Sequence, residues 1–159
     1  MGQIALDRLI REHPFIKGLS EEQMSCLTAL ATEISFEEGA LILKNGRRSE
    51  WLYLLLSGSV AIEVRAPQFT VCVQALGPGQ AFGWSALLDN QDTCFQVRAR
   101  EPVSALRFEG GELAALCRAD GRLGTELLLR ILRLAASRVI ATEARFAEMC
   151  GVRLESAAD

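Results

Sequence analysis

The chain has 159 residues, of which 50% are hydrophobic and 23% are charged, and its formal net charge is −3. This length suits one domain whose core needs no disulfides or metal for stability. The acidic balance and the lack of an apolar run of about 18–20 residues argue against nucleic-acid binding and against a membrane span. The N-terminus lacks the basic start and apolar stretch of a signal peptide, so we expect a cytoplasmic protein without membrane contacts.

Two helices are predicted before residue 32. Apolar residues between Ile4 and Glu12 recur at a helical period, and this segment ends before Pro14, which disfavours helical geometry in the residue preceding it. Ser20 then offers an N-cap, and Gln23 completes a capping box for a second helix. The predicted buried face of that helix consists of Met24, Leu27, Leu30 and Ala31.

From about residue 34 to residue 109 the sequence is typical of β structure. Short runs rich in β-branched and aromatic residues alternate with turn glycines, and residues 60–65 place Val60, Ile62 and Val64 on one face. Residues 66–69 are predicted to form a hairpin tip. Short strands at this spacing predict a β-sandwich, a jelly roll or a barrel.

Two further helices are predicted after residue 111, the second from about residue 123 to about residue 154. Its apolar residues repeat at steps of four and three, which is the spacing of a coiled-coil seam. The seam residues are Leu128, Leu132, Ala135, Val139, Thr142, Phe146 and Met149. The residues that broaden this apolar face, and that we expect to pack on the β region, are Leu127, Ile131, Leu134 and Ile140. We therefore predict a homodimer paired through this helix; the alternative is an ordinary amphipathic helix docked on its own domain.

The cysteines offer little metal or disulfide chemistry. They are odd in number, widely spaced and without a C-x-x-C pair, which argues against a disulfide framework, a zinc site and an iron–sulfur cluster. They are Cys26, Cys72, Cys94, Cys117 and Cys150. We expect reduced, mostly buried thiols; the alternative is a thiol-based redox sensor in which Cys72 and Cys94 approach each other.

His13 is the only histidine. It precedes Pro14, and we expect it on the surface or in a turn. One histidine cannot form the cluster of histidines and carboxylates that a metal enzyme of the cupin kind requires. The sequence thus predicts no metal site, no catalytic residue and no enzyme activity.

Three stretches and the spacing of the glycines share the pattern of one family. The stretches are HPFIKGLSEEQMSCLTALATEISFEEGALILKNG, WLYLLLSGSVAIEV with Gly58 at its turn, and LGPGQAFGWSALL. Together with the long C-terminal helix they resemble the cyclic nucleotide-binding domain of the catabolite activator protein and FNR regulator superfamily, over about residues 15–146. The resemblance implies an α+β fold in which residues 1–159 form a single domain. It consists of an eight-stranded antiparallel β jelly roll (a double-stranded β-helix) flanked by N-terminal helices and a long C-terminal dimerisation helix.

The chain resembles a stand-alone form of this family. It ends at Asp159, directly after the long helix, and the family's helix-turn-helix has no room there. We therefore expect no DNA binding, and a protein partner as the output of the homodimer.

The resemblance places a phosphate-binding cassette in residues 77–99. Its implied ligand-binding residues, which we interpret as vestigial, are Phe82, Gly83, Trp84, Ser85, Ala86, Thr93 and Cys94. In nucleotide-binding members a glutamate holds the ribose 2′-hydroxyl and an arginine neutralises the cyclic phosphate. Trp84 and Thr93 stand at these two positions, and Asp89 and Asp92 add negative charge nearby.

The loss of both contacts weakens nucleotide binding strongly. A charge-assisted hydrogen bond contributes roughly 1.5–3 kcal/mol. Losing two of them costs about 3–5 kcal/mol, or on the order of 10²–10⁴ in affinity. We therefore expect no cofactor and no tight binding of cyclic AMP or cyclic GMP, in a non-catalytic regulatory or sensor module.

Two alternatives concern the same pocket. A substitute arginine would restore binding of a cyclic nucleotide or of another small anionic ligand; the candidates are Arg47, Arg48, Arg65, Arg98 and Arg100. Trp84 and Phe95 either fill the nucleotide space or line a pocket for a different ligand. Any ligand would act by shifting the β region against the long helix.

Overall fold

The structure, a computed structural model, describes residues 3–88 and 92–152, with the backbone alone for residues 3 and 4. Its elements in chain order are α1 (Gln3–Glu12), α2 (Glu21–Leu30), β1 (Thr32–Phe36), β2 (Leu41–Leu43), β3 (Trp51–Ser57), β4 (Val60–Arg65), β5 (Thr70–Leu76), β6 (Ala81–Phe82), a short 3-10 helix (Trp84–Leu87), β7 (Gln96–Ala99), β8 (Val103–Glu109), α3 (Gly110–Ala119) and α4 (Gly121–Met149). Helices thus precede and follow the strands, as the sequence predicts.

The strands form two antiparallel sheets, one with the order β1-β8-β3-β6 and the other with the order β2-β7-β4-β5. Gly58 makes the turn between β3 and β4 at φ +77°, and a Cβ atom there would lie 2.3 Å from the carbonyl oxygen of Pro102. This turn therefore requires glycine. Between β4 and β5 the Ala66 N–H donates to the Phe69 carbonyl oxygen at 2.9 Å, which confirms the predicted hairpin tip. The α+β class and the antiparallel pairing are confirmed as well.

Strand β3 is buried on both faces. Leu52 and Leu54 pack with the helices in one core cluster, whereas Tyr53 and Leu55 pack between the two sheets in a second cluster. A strand covered on both sides needs apolar side chains at successive positions, which explains the continuous apolar run in this part of the sequence. Each fully buried leucine contributes about 1.5–3 kcal/mol relative to an exposed one.

The capping box of α2 is present as predicted. The Ser20 hydroxyl accepts a hydrogen bond from the Gln23 N–H at 3.2 Å, and Gln23 Oε1 accepts one from the Ser20 N–H at 3.0 Å. Its buried face is narrower than expected. Leu27 is fully buried, while Met24, Leu30 and Ala31 are partly buried against the same cluster.

Helix α4 ends at Met149, earlier than the predicted residue 154. Gly151 takes φ +70°, and the Val152 N–H donates to the Ala147 carbonyl oxygen at 2.9 Å, which is a glycine-based helix stop. Residues 153 and 154 lie outside the described residues. Neither α4 nor another helix in the described part of the chain is long and apolar enough to cross a membrane.

Three of the four residues expected to pack α4 on the β region do pack inward. Leu127 and Ile131 are buried, and Leu134 is partly buried against the helix-side cluster. Ile140 is instead 65% exposed, which corrects the prediction for this residue. It follows Ile131 by nine residues, or about 2.5 helical turns, and therefore lies on the opposite side of the helix.

His13 is buried, with 4% of its surface exposed, so the prediction of a surface position was wrong. Its Nδ1 accepts a hydrogen bond from the Phe15 N–H at 3.1 Å, and its Nε2 lies 3.0 Å from the Leu55 carbonyl oxygen, to which it donates. These partners require the neutral imidazole, and burial lowers the pKa of His13 below its ordinary value of 6.5. The predicted turn is present, because the His13 carbonyl oxygen accepts from the Ile16 N–H at 2.9 Å.

Most of the cysteines are exposed, which corrects the expectation of buried thiols. Cys26, Cys72, Cys94 and Cys150 are exposed, and Cys117 is partly buried. Cys72 lies on β5 and Cys94 precedes β7, with β4 between these two strands. Two strand spacings are about 10 Å, which exceeds the Cα separation that a disulfide spans. Across the residues that the structure describes, no three His, Cys, Asp or Glu side chains cluster in a way that could hold a metal ion.

We expect the free energy of unfolding to decrease when the pH is lowered below about 6.5, because His13 is buried in its neutral form. The unfolded chain protonates this imidazole near its ordinary pKa of 6.5, whereas the folded chain does so only at lower pH. The stability linked to His13 is therefore fully present above pH 6.5 and declines on acidification. Urea unfolding of the native chain and of His13→Gln, from neutral pH to about pH 5, measures this. The glutamine keeps a donor for Leu55 but titrates no proton, so the difference in unfolding free energy should shrink as the pH falls. A difference independent of pH contradicts this account.

Candidate ligand site

Gly83 anchors the cassette at the end of β6. It takes φ +83°, and a Cβ atom there would lie 2.3 Å from the carbonyl oxygen of Trp51 on β3. Both the backbone conformation and the space exclude a side chain at this position. Gly83 therefore lets the cassette backbone run directly against β3 before the short 3-10 helix begins at Trp84.

Phe82 and Ala86 hold the cassette on both of its sides. Phe82 is buried on β6, and its ring stacks on Tyr53 with the centroids 4.8 Å apart. Ala86 is buried in the 3-10 helix, and its carbonyl oxygen would lie 2.2 Å from a Cβ atom at Gly110, where α3 begins. The cassette is thus fixed between β3 and α3 by close backbone approach.

Thr93, which the resemblance places at the arginine position, uses its hydroxyl to bond the neighbouring backbone. Thr93 Oγ1 accepts from the Phe95 N–H and donates to the Phe95 carbonyl oxygen, both at 3.1 Å. The Thr93 N–H donates to the Arg47 carbonyl oxygen at 3.2 Å, and its own carbonyl oxygen accepts from the Gly46 N–H at 2.8 Å. Thr93 therefore ties residues 46–47 to the segment before β7 and supplies no positive charge.

A cavity of about 180 Å³ lies beside the cassette. Six of the seven residues predicted for the site line it, namely Phe82, Gly83, Trp84, Ser85, Thr93 and Cys94, while Ala86 does not. Its apolar wall is completed by Leu43, Ile62, Phe95 and Val97. Trp84 and Phe95 thus border open space and narrow it.

Among the described residues that line the cavity, one is basic: Arg138 of α4. It is 9% exposed, its Nε donates to Gln74 Oε1 at 3.0 Å, and its guanidinium carbon lies 5.4 Å from the ring centroid of Phe95. Within residues 3–88 and 92–152, no carboxylate lies at ion-pairing distance from it. Arg138 is therefore a buried cation beside the cavity, without a counter-charge in the described part of the chain.

Arg138 stays charged at neutral pH despite its burial. Loss of hydration lowers the pKa of its guanidinium from its ordinary value to about 10. Burial disfavours the charged form, and no acid among the described residues forms an ion pair that would oppose this effect. The cavity thus carries positive charge on the wall formed by α4.

The arginines considered from the sequence do not line this cavity. Arg98 Nε lies 3.4 Å from Glu63 Oε2, and Arg98 donates to the Gly39 carbonyl oxygen at 3.1 Å. Arg65 and Arg100 are exposed on other parts of the β region. None of these arginines of the β region therefore supplies a positive charge to the cavity wall.

Sequence reasoning missed Arg138, although a signal for it was available. The residues Leu127, Ile131, Leu134 and Arg138 follow one another at steps of four, three and four. Arg138 therefore continues the buried face of the helix, and an arginine on that face must either pair with an acid or face a cavity.

The predicted pairing seam of α4 is exposed on the single chain. The fractional exposures are 55% for Leu128, 63% for Leu132, 55% for Val139, 69% for Phe146 and 63% for Met149. Ala135 and Thr142 lie between them and are half-buried. The seam and the inward face of α4 are thus separate surfaces of one helix.

The model of the cyclic nucleotide-binding domain family matches residues 33–120, more than half of the chain. The match begins in β1 and runs past the end of α3, so it includes both sheets and the cassette. The chain therefore belongs to the cyclic nucleotide-binding domain family, a family of regulatory domains.

Solved structures and curated relatives agree with this assignment. A putative cyclic nucleotide-binding protein from Geobacter metallireducens is 26% identical, with a TM-score of 0.71 over 87% of this chain and 98% of that one. A mutant regulatory subunit of a cAMP-independent protein kinase A from Trypanosoma brucei, bound to cAMP in the A site, is 23% identical, with a TM-score of 0.73 over 92% of this chain and 53% of that one. The cAMP-dependent protein kinase type II regulatory subunit of Drosophila melanogaster is 29% identical over 103 residues, which are 64% of this chain and 27% of that relative. The chain spans about a quarter of the length of the first curated relatives it matches.

We expect Gly83→Ala to destabilise the fold more than Gly39→Ala does. Both glycines have φ near +80°, so each substitution costs about 1–2 kcal/mol for the left-handed conformation. A methyl group at residue 83 also meets the Trp51 carbonyl oxygen, whereas nothing lies within 4 Å of the same position at residue 39. This contact should add about 1–3 kcal/mol. Urea unfolding of both variants measures the difference, and equal losses would show that the close approach of the cassette to β3 is unimportant.

Proposed function

We propose that this chain is a non-catalytic regulatory module that does not bind cyclic AMP or cyclic GMP tightly. The proposal is carried by one observation at the arginine position of the cassette. There the Thr93 hydroxyl is hydrogen-bonded to the Phe95 backbone and no cation is present. Trp84, at the glutamate position, has no carboxylate for a ribose hydroxyl. The two missing contacts together cost about 3–5 kcal/mol of nucleotide binding.

The size and charge of the cavity support the same proposal. Its volume of about 180 Å³ is below the roughly 300–1,000 Å³ of ordinary small-molecule pockets. Asp92 also lines the cavity, and its exposed carboxylate repels a phosphate. We therefore propose that no cyclic nucleotide serves as a cofactor of this chain.

Calorimetric titration with cyclic AMP and cyclic GMP tests the proposal. We expect no saturable heat of binding at micromolar nucleotide, and a dissociation constant in the micromolar range or tighter would overturn it. The double variant Trp84→Glu, Thr93→Arg should gain cyclic AMP affinity by on the order of 10²-fold or more, because Gly83 still presents the cassette backbone.

A matched control separates charge from shape in this experiment. Trp84→Glu combined with Thr93→Gln has a side chain of similar reach at residue 93 but no cation, and it should gain little. The cAMP-bound mutant from Trypanosoma brucei carries three substitutions, one of which replaces a threonine by an arginine, which supports this choice of test. A double variant that gains no affinity would show that the cavity differs in shape from a nucleotide site.

We further propose that the two sheets form a jelly roll. The first strand pairs with the eighth, the second with the seventh, the third with the sixth and the fourth with the fifth. This nesting supports a long antiparallel hairpin wound over two sheets, which is how a double-stranded β-helix is built.

The module is proposed to act as a homodimer paired through α4, with a protein partner, rather than DNA or a membrane, as its output in the cytoplasm. The exposed apolar seam supports pairing, because large apolar side chains at four-three spacing gain burial when two such helices meet. The net charge of −3 supports the absence of nucleic acid among the partners.

Val139→Glu should convert the dimer to a monomer, whereas Ile140→Glu should not. Val139 lies on the seam and Ile140 lies about 100° away around the helix, although both are β-branched and more than half exposed. A carboxylate buried in the seam is costly, while one beside it stays in water. Sedimentation equilibrium of both variants gives the masses. A monomeric native chain, or equal effects of the two substitutions, contradicts pairing through the seam.

A further inference from the structure

Arg138 has a charge that the described residues do not balance. It is more than nine-tenths buried, and among described residues its guanidinium has one hydrogen bond, from Nε to Gln74 Oε1. Buried charges in proteins are normally paired, because an unpaired ion loses its hydration without compensation. Among the described residues the two terminal nitrogens of Arg138 have no hydrogen-bond partner, and Arg138 is one of the residues that line the cassette cavity.

The lining and the volume of the cavity indicate what the uncharged part of an anion bound at Arg138 would be. Most of its wall is aromatic or aliphatic, formed by Leu43, Ile62, Phe82, Trp84, Phe95 and Val97. Its volume of about 180 Å³ is close to that of an engineered apolar cavity of roughly 150 Å³ that takes up benzene. A body of about one aromatic ring thus suits the space that Trp84 and Phe95 leave.

We propose that this cavity binds a small monoanion with a compact apolar body, such as an aromatic carboxylate, whose anionic group pairs with Arg138. This inference rests on the proposed function, because it requires that the cassette does not bind cyclic nucleotides tightly. The carboxylate accepts hydrogen bonds from the guanidinium on the α4 wall, and the apolar body packs on Trp84 and Phe95. Asp92 also lines the cavity, but its carboxylate is exposed, so water screens its repulsion of an anion held at Arg138. A planar guanidinium is well suited to a carboxylate because it can donate two parallel hydrogen bonds.

A second basic cavity is the weaker candidate. It measures about 400 Å³ and is lined by Lys17, Arg130, Arg133 and Arg138. Arg130 already donates to the carbonyl oxygens of Phe15 and Lys17, and Arg133 is exposed. Hydrated or already satisfied cations gain little from an added anion, so the observations favour the cassette cavity.

The test uses the full chain labelled with nitrogen-15 and titrated with benzoate, with benzamide as the uncharged control of the same shape. The two tryptophans give an internal comparison. Trp84 lines the cavity, whereas Trp51 does not and instead packs its ring on Arg107, with the guanidinium carbon 4.1 Å from the centroid. We expect benzoate to shift the Trp84 indole N–H and the Arg138 Nε–H resonances saturably, and to leave the Trp51 indole nearly unchanged.

Benzamide should bind at least about 10-fold more weakly, because it lacks the charge-assisted contact. Arg138→Met should lose benzoate by a similar factor while keeping contact with Phe95. It should also unfold at the same temperature as the native chain or at a higher one, since it removes an unbalanced buried charge. A merely structural arginine would give the opposite change in stability. Arg138→Lys keeps the charge but not the planar donor pair. Its affinity for benzoate should therefore lie between that of the native chain and that of Arg138→Met.

Three results would overturn the inference: no saturable shift with benzoate, equal affinity for benzamide, or unchanged benzoate affinity in Arg138→Met. Conversion of Arg138→Met to a monomer would also overturn it, because the missing anion would then come from a second copy of the chain. Failure of benzoate to bind leaves the proposed function untouched, since that is tested by the cyclic nucleotide titration. Micromolar binding of cyclic AMP would overturn the proposed function whatever benzoate does.

Discussion

The fold depends on β3 being covered on both faces. Leu52 and Leu54 belong to the core under the helices, and Tyr53 and Leu55 belong to the core between the sheets. The same strand also receives the cassette, because Gly83 lies against its backbone. The position of β3 therefore decides where the helices pack, where the second sheet packs and where the cassette lies. A change that displaces this strand alters all three at once.

The cassette is held in place by its backbone, and the side chains of Trp84 and Thr93 offer it neither a carboxylate nor a cation. Gly83, the 3-10 helix and the link from Thr93 to residues 46–47 are backbone features held by close contacts and short-range hydrogen bonds. The cation beside the cavity comes instead from α4. Thr142, one turn beyond Arg138, donates to its carbonyl oxygen at 2.8 Å and belongs to the exposed seam. The cavity and the surface proposed for pairing thus share one rigid helix.

Local patterns made the helices and strands predictable, because caps, turn glycines and periodicity act over a few residues. The Ser20 capping box is of this kind, and it is present as predicted. The burial of His13 was not predictable, since it depends on Leu55, 42 residues away. The exposure of Cys72 likewise depends on how β5 packs in the fold, since the next residue of the strand, Val73, is buried. In the site, the cassette residues could be named from the family pattern, but Arg138 joins them only through the docking of α4.

The nested pairing of the strands has a consequence for how the chain folds. The edge strand β1 pairs with β8, and Thr32 is matched with Arg107, 75 residues later. At synthesis rates of about 5–20 residues per second, β1 waits roughly 4–15 seconds for its partner to emerge from the ribosome. Pairings of such long sequence separation also fold slowly once the chain is complete. Any truncation before β8 leaves β1 as an unpaired edge able to join a neighbouring chain.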